Sequence, residues 1–116
     1  MFNFEKLEVW RKAVVFAEVI YKHSRSFPND ERFGLTQQIR RAAVSIPSNI
    51  AEGSARPAPD FSKFLGYATG SLYEVVTQSV IAHQHDYLDE ASFQEIYSAA
   101  EEIGRMISGL RRSLGE

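Results

Sequence analysis

The side chains of this sequence that could do chemistry fall into a few groups, and each group has a structural reading beside the functional one. His83, His85 and Asp86 bring metal-ligating atoms close together in the chain. A histidine pair at i, i+2 does not share a helix face, whereas helical zinc sites place their imidazoles at i, i+4. The stronger reading is a helix end at which imidazolium meets the negative end of the helix dipole. His23 stands alone. Gly66 and Gly70 are not a phosphate loop, because no Lys-Ser/Thr pair follows them. Serines are present, but nothing resembles a nucleophile elbow or a strand-borne triad. Cysteine is absent, which removes thiolate metal sites, cysteine nucleophiles and disulfides together. No catalytic residue, metal or cofactor is therefore expected.

Two polar constellations remain. Arg41, Ser45, Ser48 and Glu52 recur at helical spacing and share one face. That face could contact a ligand or an RNA backbone, with Arg41 meeting phosphate. It could equally be a structural network in which Arg41 or Glu52 pairs with Lys63 or Glu74. The presence of both signs on one face favours the network. Arg40, Arg41 and Arg56, with Arg11 and Lys12, would form a basic patch if the helices carrying them lie side by side. Tyr21, Tyr67 and Tyr73 could then offer stacking surfaces to bases, although core and interface packing accounts for most aromatics on amphipathic helices.

The elements that must position these residues are helical. A chain of 116 residues with 44% apolar content fits one domain, residues 1–116, with a core of its own. The N-terminus is too charged for a signal peptide, and no window approaches a membrane span. A soluble, cytoplasmic protein is expected. Net charge is −2, but its distribution is uneven: residues 1–58 sum to +3 and residues 59–116 to −5. This permits a basic face and an acidic face, or simply two solvated surfaces.

Four segments carry the helical period. The first runs from about Leu7 to Ser26, with Val9, Trp10, Ala13, Val14, Phe16, Ala17, Ile20 and Tyr21 in one broad arc. Phe27-Pro28 ends it. The second spans about Leu35 to Gly53, with a stripe through Leu35, Ile39, Ala42, Ala43, Ile46 and Ile50. Pro47 lies inside this stripe and predicts a bend rather than a stop. Asn49 is placed to serve backbone carbonyls freed by that proline. A proline- and glycine-rich connector over residues 53–59 precedes the third helix, about Pro59 to His83. Asp89 is a candidate N-cap for the fourth. There Phe93, Ile96, Ala100, Ile103, Ile107, Leu110 and Leu114 follow a regular 3-4 spacing, the seam of near-parallel helix packing. The fold class is all-α: an antiparallel up-down-up-down four-helix bundle, with helix two bent near Pro47.

The arc on helix one is wider than one helix seam requires, so another subunit is a candidate neighbour. Two glycines one turn apart on helix three suggest that another backbone approaches closely. Val9, Phe16, Ile20, Gly66, Gly70 and Tyr73 are the candidate subunit-interface residues.

The run Leu35-Thr36-Gln37-Gln38-Ile39-Arg40-Arg41-Ala42-Ala43-Val44-Ser45-Ile46-Pro47-Ser48-Asn49-Ile50-Ala51-Glu52-Gly53 resembles the signature of the bacterial four-helix-bundle proteins, also called the 23S rRNA intervening-sequence protein family. Leu7-Glu8-Val9-Trp10-Arg11-Lys12-Ala13 resembles the family's opening segment. Gly70-Ser71-Leu72-Tyr73-Glu74, with Thr77-Gln78, resembles its third helix. The resemblance covers about residues 7–88. It implies a four-helix protomer and a ring-like homopentamer, with some members encoded inside inserts in large-subunit ribosomal RNA genes. A related branch, the accessory variability determinant proteins of diversity-generating retroelements, binds nucleic acid and a reverse transcriptase through a basic pentamer. Val76 stands where relatives often carry a second acidic residue, and a pI near 5.9 departs from that basic branch. The expectation is a non-enzymatic scaffold or binding protein whose partner is itself, with RNA or another protein as a further partner and no membrane. The alternative is an RNA- or DNA-binding module using the basic residues of helices one and two.

Overall fold

Apolar residues repeating every three or four positions produce four long helices in the computed structural model, which describes residues 1–115. They are α1 (Glu8–Ser24), α2 (Leu35–Ser54), α3 (Ala58–Gln84) and α4 (Glu90–Ser113). Short 3-10 turns at Asn3–Lys6 and Asn29–Glu31 precede α1 and α2. The helices form a rod of 42 × 22 × 22 Å. Around its axis α1 packs on α2, α2 on α3, α3 on α4, and α4 back on α1, while the diagonal pairs make no direct backbone approach. This is the expected square, antiparallel bundle. One end carries the α1–α2 and α3–α4 connections, and the other carries the α2–α3 connection.

Every helix sends its stripe inward. Ala13, Phe16, Ile20, Ile39, Ala43, Ile46, Ile50, Leu65, Ala68, Val75, Ile103 and Ile107 are all essentially sealed from water. The α4 seam is buried at Ile96, Ala100, Ile103 and Ile107. α2 stays helical straight through the buried Pro47. Asn49 does not serve the Ala43 carbonyl that Pro47 leaves without its amide donor. Its Nδ2 donates instead to the carbonyl of Ser45 at 2.8 Å and to the Ser45 hydroxyl at 2.9 Å. The reason is reach, since the i−4 position of residue 49 is Ser45.

Within the protomer, the closest backbone approach is not at the two glycines of helix three. A Cβ on Gly53 would lie 2.5 Å from Cβ of Phe64 and 3.1 Å from the Phe61 ring, so the end of α2 presses its backbone against α3. At Gly70 the same atom would meet open space, and at Gly66 it would meet only the Arg111 guanidinium. No second backbone lies against Gly66 or Gly70 within the protomer.

The helix ends are held by specific contacts. The Asp89 carboxylate accepts from the Ser92 N–H at 2.8 Å, which makes Asp89 the N-cap of α4. Hydrogen bonds from the Ser92 backbone and hydroxyl, helped by the nearby His23, hold Asp89 below the usual carboxylate range. α3 ends in a left-handed residue, Asp86 at φ 62. There the Tyr87 N–H returns to the Ala82 carbonyl at 2.8 Å and the Asp86 N–H to His83 at 3.1 Å, a Schellman closure. Glu31 ties the same end together. One carboxylate oxygen accepts from the Leu35 N–H at 3.1 Å, and the other accepts from the Tyr87 hydroxyl at 3.2 Å. Partial burial first, and then this bond to Glu31, raise the Tyr87 phenol above its ordinary pKa.

Candidate interaction surfaces

The polar face of α2 is occupied by local bonds. Ser48 donates to the Val44 carbonyl at 2.8 Å, and the Ser45 hydroxyl pairs with Ser71 on α3 at 2.9 Å. Glu52 meets Arg56 at 3.8 Å, not Lys63 or Glu74. Arg41 alone of this face reaches into solvent without a polar partner among the described residues, flanked by one groove toward α1 and one toward α3.

The five cations expected to form a patch are dispersed. Arg11 donates to the Glu5 carbonyl at 2.8 Å, and Lys12 pairs across the α1–α4 seam with Glu102 at 3.3 Å. Arg56 lies over the Phe64 ring at 4.8 Å, at the far end of the bundle from Arg40 and Arg41. The fold separates them because α1 and α2 run antiparallel, so residues early in α1 lie beside the end of α2. Arg40 bridges to α1: its Nε donates to the Ser24 hydroxyl at 2.8 Å and its guanidinium stacks on Tyr21 at 4.8 Å. Arg32, which carries no helical signal, joins Arg40 and Arg41 from the connector and lies 5.3 Å above the Phe33 ring. The basic cluster that exists is therefore Arg32, Arg40 and Arg41 around Tyr21, Phe33 and Val44.

The interface candidates also divide. Val9, Phe16 and Ile20 are 5%, 1% and 1% exposed and belong to the protomer's own core, so they are not available to another subunit. α2, α4 and the N-terminal turn cover the broad arc of α1. Phe4 packs edge-on against Trp10 at 5.1 Å, with Phe2 stacked behind it. Tyr73 differs, at 66% exposed. It lines a groove between α3 and α4 with Val76, Thr77, Tyr97, Ala100 and Glu101. Tyr67 packs at 5.4 Å on Phe64 and lines neither of these grooves. His83 turns its Nε2 to Glu90 at 2.9 Å and stacks on Phe93, while His85 leans on Tyr87. Among the described residues no three His, Asp or Glu side chains converge on a point where a metal ion would sit. Nor, among the described residues, is any helix long and apolar enough to cross a membrane.

Open grooves between helices, edged by aromatics and charges, define an all-α bundle that presents surfaces. The chain belongs to the 23S rRNA-intervening sequence protein family, whose sequence profile matches residues 5–109. Its fold is shared by a crystal structure of a protein of unknown function from the S23 ribosomal protein family of Bacteroides thetaiotaomicron. The two agree with a TM-score of 0.81 at 23% identity, over 89% of this chain and 97% of that one. No curated protein matches.

Proposed function

We propose that this protein is a non-enzymatic, cytoplasmic scaffold that associates with further copies of itself into a closed ring. Five subunits is the number that the family resemblance implies. The observation that carries this reading is what the protomer leaves outside once its core is closed. Phe33, at 80% exposed, and Tyr73, with Tyr21, Val44 and Tyr97, remain on the helix edges. Large apolar side chains gathered in grooves rimmed by charge are the usual mark of a protein contact. The groups that could have done chemistry, His83, Ser45 and Glu52 among them, are engaged with neighbours that stabilise helix ends and seams. Gel filtration with light scattering tests the proposal. A mass several times the 13.1 kDa of one chain is expected at micromolar concentration, and a mass of one chain ends it.

A second reading, nucleic-acid binding, draws on the unpartnered Arg41 beside Arg32, Phe33 and Tyr21. Cations interleaved with exposed rings suit a single-stranded backbone and its bases. Phosphate contacts release counterions, so this binding must weaken steeply as salt rises. Absence of binding to structured RNA at low salt removes it.

A further inference from the structure

The seam between α2 and α3 carries polar groups that neither the core nor a helix end uses. The Ser45–Ser71 hydrogen bond at 2.9 Å fixes the register of these antiparallel helices. One turn along from that pair, Ala42 on α2 stands beside Glu74 on α3, and a further turn sets Gln38 beside Gln78. Together with Arg41, these residues line a groove of about 420 Å³. Ala42 is buried on its α2 side, and its methyl group is too short to fill the space above it.

The two walls of this groove carry opposite charges that are both unpaired. Arg41 belongs to α2 and Glu74 to α3, and both are exposed. No ion pair joins them, and neither has another polar side-chain partner among the described residues. The far rung is incomplete as well. The side-chain oxygen of Gln78 is sealed from water and accepts no hydrogen bond, whereas buried acceptors are ordinarily satisfied. The neighbouring groove on the α1 side is different in kind, since it gathers Arg32, Arg40 and Arg41 with no carboxylate.

We propose that the α2/α3 groove binds a free α-amino acid with a carboxamide side chain, of the glutamine or asparagine class. The ligand carboxylate meets the Arg41 guanidinium, whose fork can hold both oxygens at once. The ligand ammonium meets Glu74. Both charges must lie on one small molecule, because an anion alone would face Glu74 and a cation alone would face Arg41, and like charges brought together are costly. The ligand side chain then runs toward Gln38 and Gln78. A carboxamide both donates and accepts, so it can pair with these two amides. Its N–H supplies the Gln78 oxygen with the missing donor once the Gln78 side chain turns that oxygen to the groove. An apolar side chain would leave the same amides unpaired, which is how polar pockets reject analogues.

Titration of the full chain with L-glutamine and L-asparagine, followed by amide chemical shifts, tests the proposal. For at least one of the two, shifts should gather at residues 38–45 and 71–78 and saturate by about 10 mM, a modest affinity for so small a ligand. N-acetyl-L-glutamine lacks the ammonium and L-glutamine amide lacks the carboxylate, so each should bind at least about tenfold more weakly than L-glutamine if that is the ligand, with the matching asparagine derivatives read otherwise. Inorganic phosphate should leave these residues unmoved. Arg41→Gln and Glu74→Gln should each weaken binding by a similar factor. Both side chains are exposed, and circular dichroism checks that the helices are kept. Glu74→Gln should also lose the preference for the free amino acid over its N-acetyl form, which a merely structural role would not change. No saturating shifts with either amino acid overturns the proposal. So does binding that survives the loss of Arg41 or Glu74, or phosphate binding at the same residues.

Discussion

Replacing Gly53 with leucine is expected to destabilise the protein by more than about 3 kcal/mol, enough to leave a chain of this size largely unfolded on mild addition of denaturant. Even the first carbon of the new side chain would sit 2.5 Å from Phe64 Cβ. Phe64 cannot yield by rotating, because its Cβ is fixed to the α3 backbone. Relief requires moving α2 away from α3 along the longest seam in the bundle. Gly53→Ala should therefore also lower stability, by about 1–3 kcal/mol. Gly70→Ala supplies the contrast. Its new methyl group meets nothing within 4 Å, and alanine suits a helix better than glycine by about 1 kcal/mol, so its midpoint should hold or rise. Urea midpoints of the three variants against wild type read this directly. A tolerant Gly53 would mean that the α2–α3 approach is looser than the structure describes.

Phe16→Ala should cost about 3–5 kcal/mol, the range for deleting a buried aromatic ring from a core that cannot collapse around the gap. Phe16 is 1% exposed and fully enclosed within one protomer. The difference from wild type should consequently be the same in dilute and in concentrated protein. Had Phe16 belonged to a subunit contact, its loss would lower the assembled mass and leave a stable single chain. Denaturant titrations at two protein concentrations separate these outcomes. A small cost that grows with concentration would return α1 to the interface.

The helices were legible because periodicity is a local signal. The stripe from Leu35 to Ile50 marks α2 and survives the proline inside it, since the apolar positions keep their phase across Pro47. Asp89 was legible as a cap because a short acceptor just before a periodic run has a specific orphan amide to bond. The interface was harder to read. An apolar arc states that a face is covered without stating by what, and on α1 the cover includes Phe4, from a segment with no period of its own. Glycine spacing likewise did not mark the close approach inside the protomer. Gly66 and Gly70 are one turn apart, but close approach depends on which face they occupy. Gly53 lies in line with Ile46 and Ile50 on the core stripe, and that phase was the available sign.

The basic patch was the least legible feature. Five cations from two helices and the connector after them were grouped by type, but antiparallel packing sets Arg11 and Arg56 toward the other end of the bundle from Arg40 and Arg41. Arg32 and Phe33 complete the cluster from a connector, where no pattern announces a side chain's direction. By contrast the charge difference between the two halves of the chain was readable from the start. The bundle places α1 with α2 and α3 with α4 on opposing edges, so the two halves of that charge lie on opposite sides of the rod.

Hydroxyl-radical footprinting of the wild-type protein, read by mass spectrometry at dilute and at assembling concentrations, meets the central claim most directly. Oxidation of Phe33, Tyr73 and Tyr97 should fall severalfold as concentration rises. Tyr67, which is 49% exposed and lines neither groove, should be oxidised equally in both samples. Equal oxidation of all four rings at every concentration would mean that these edges stay open to water, and that the chain does not pair through them.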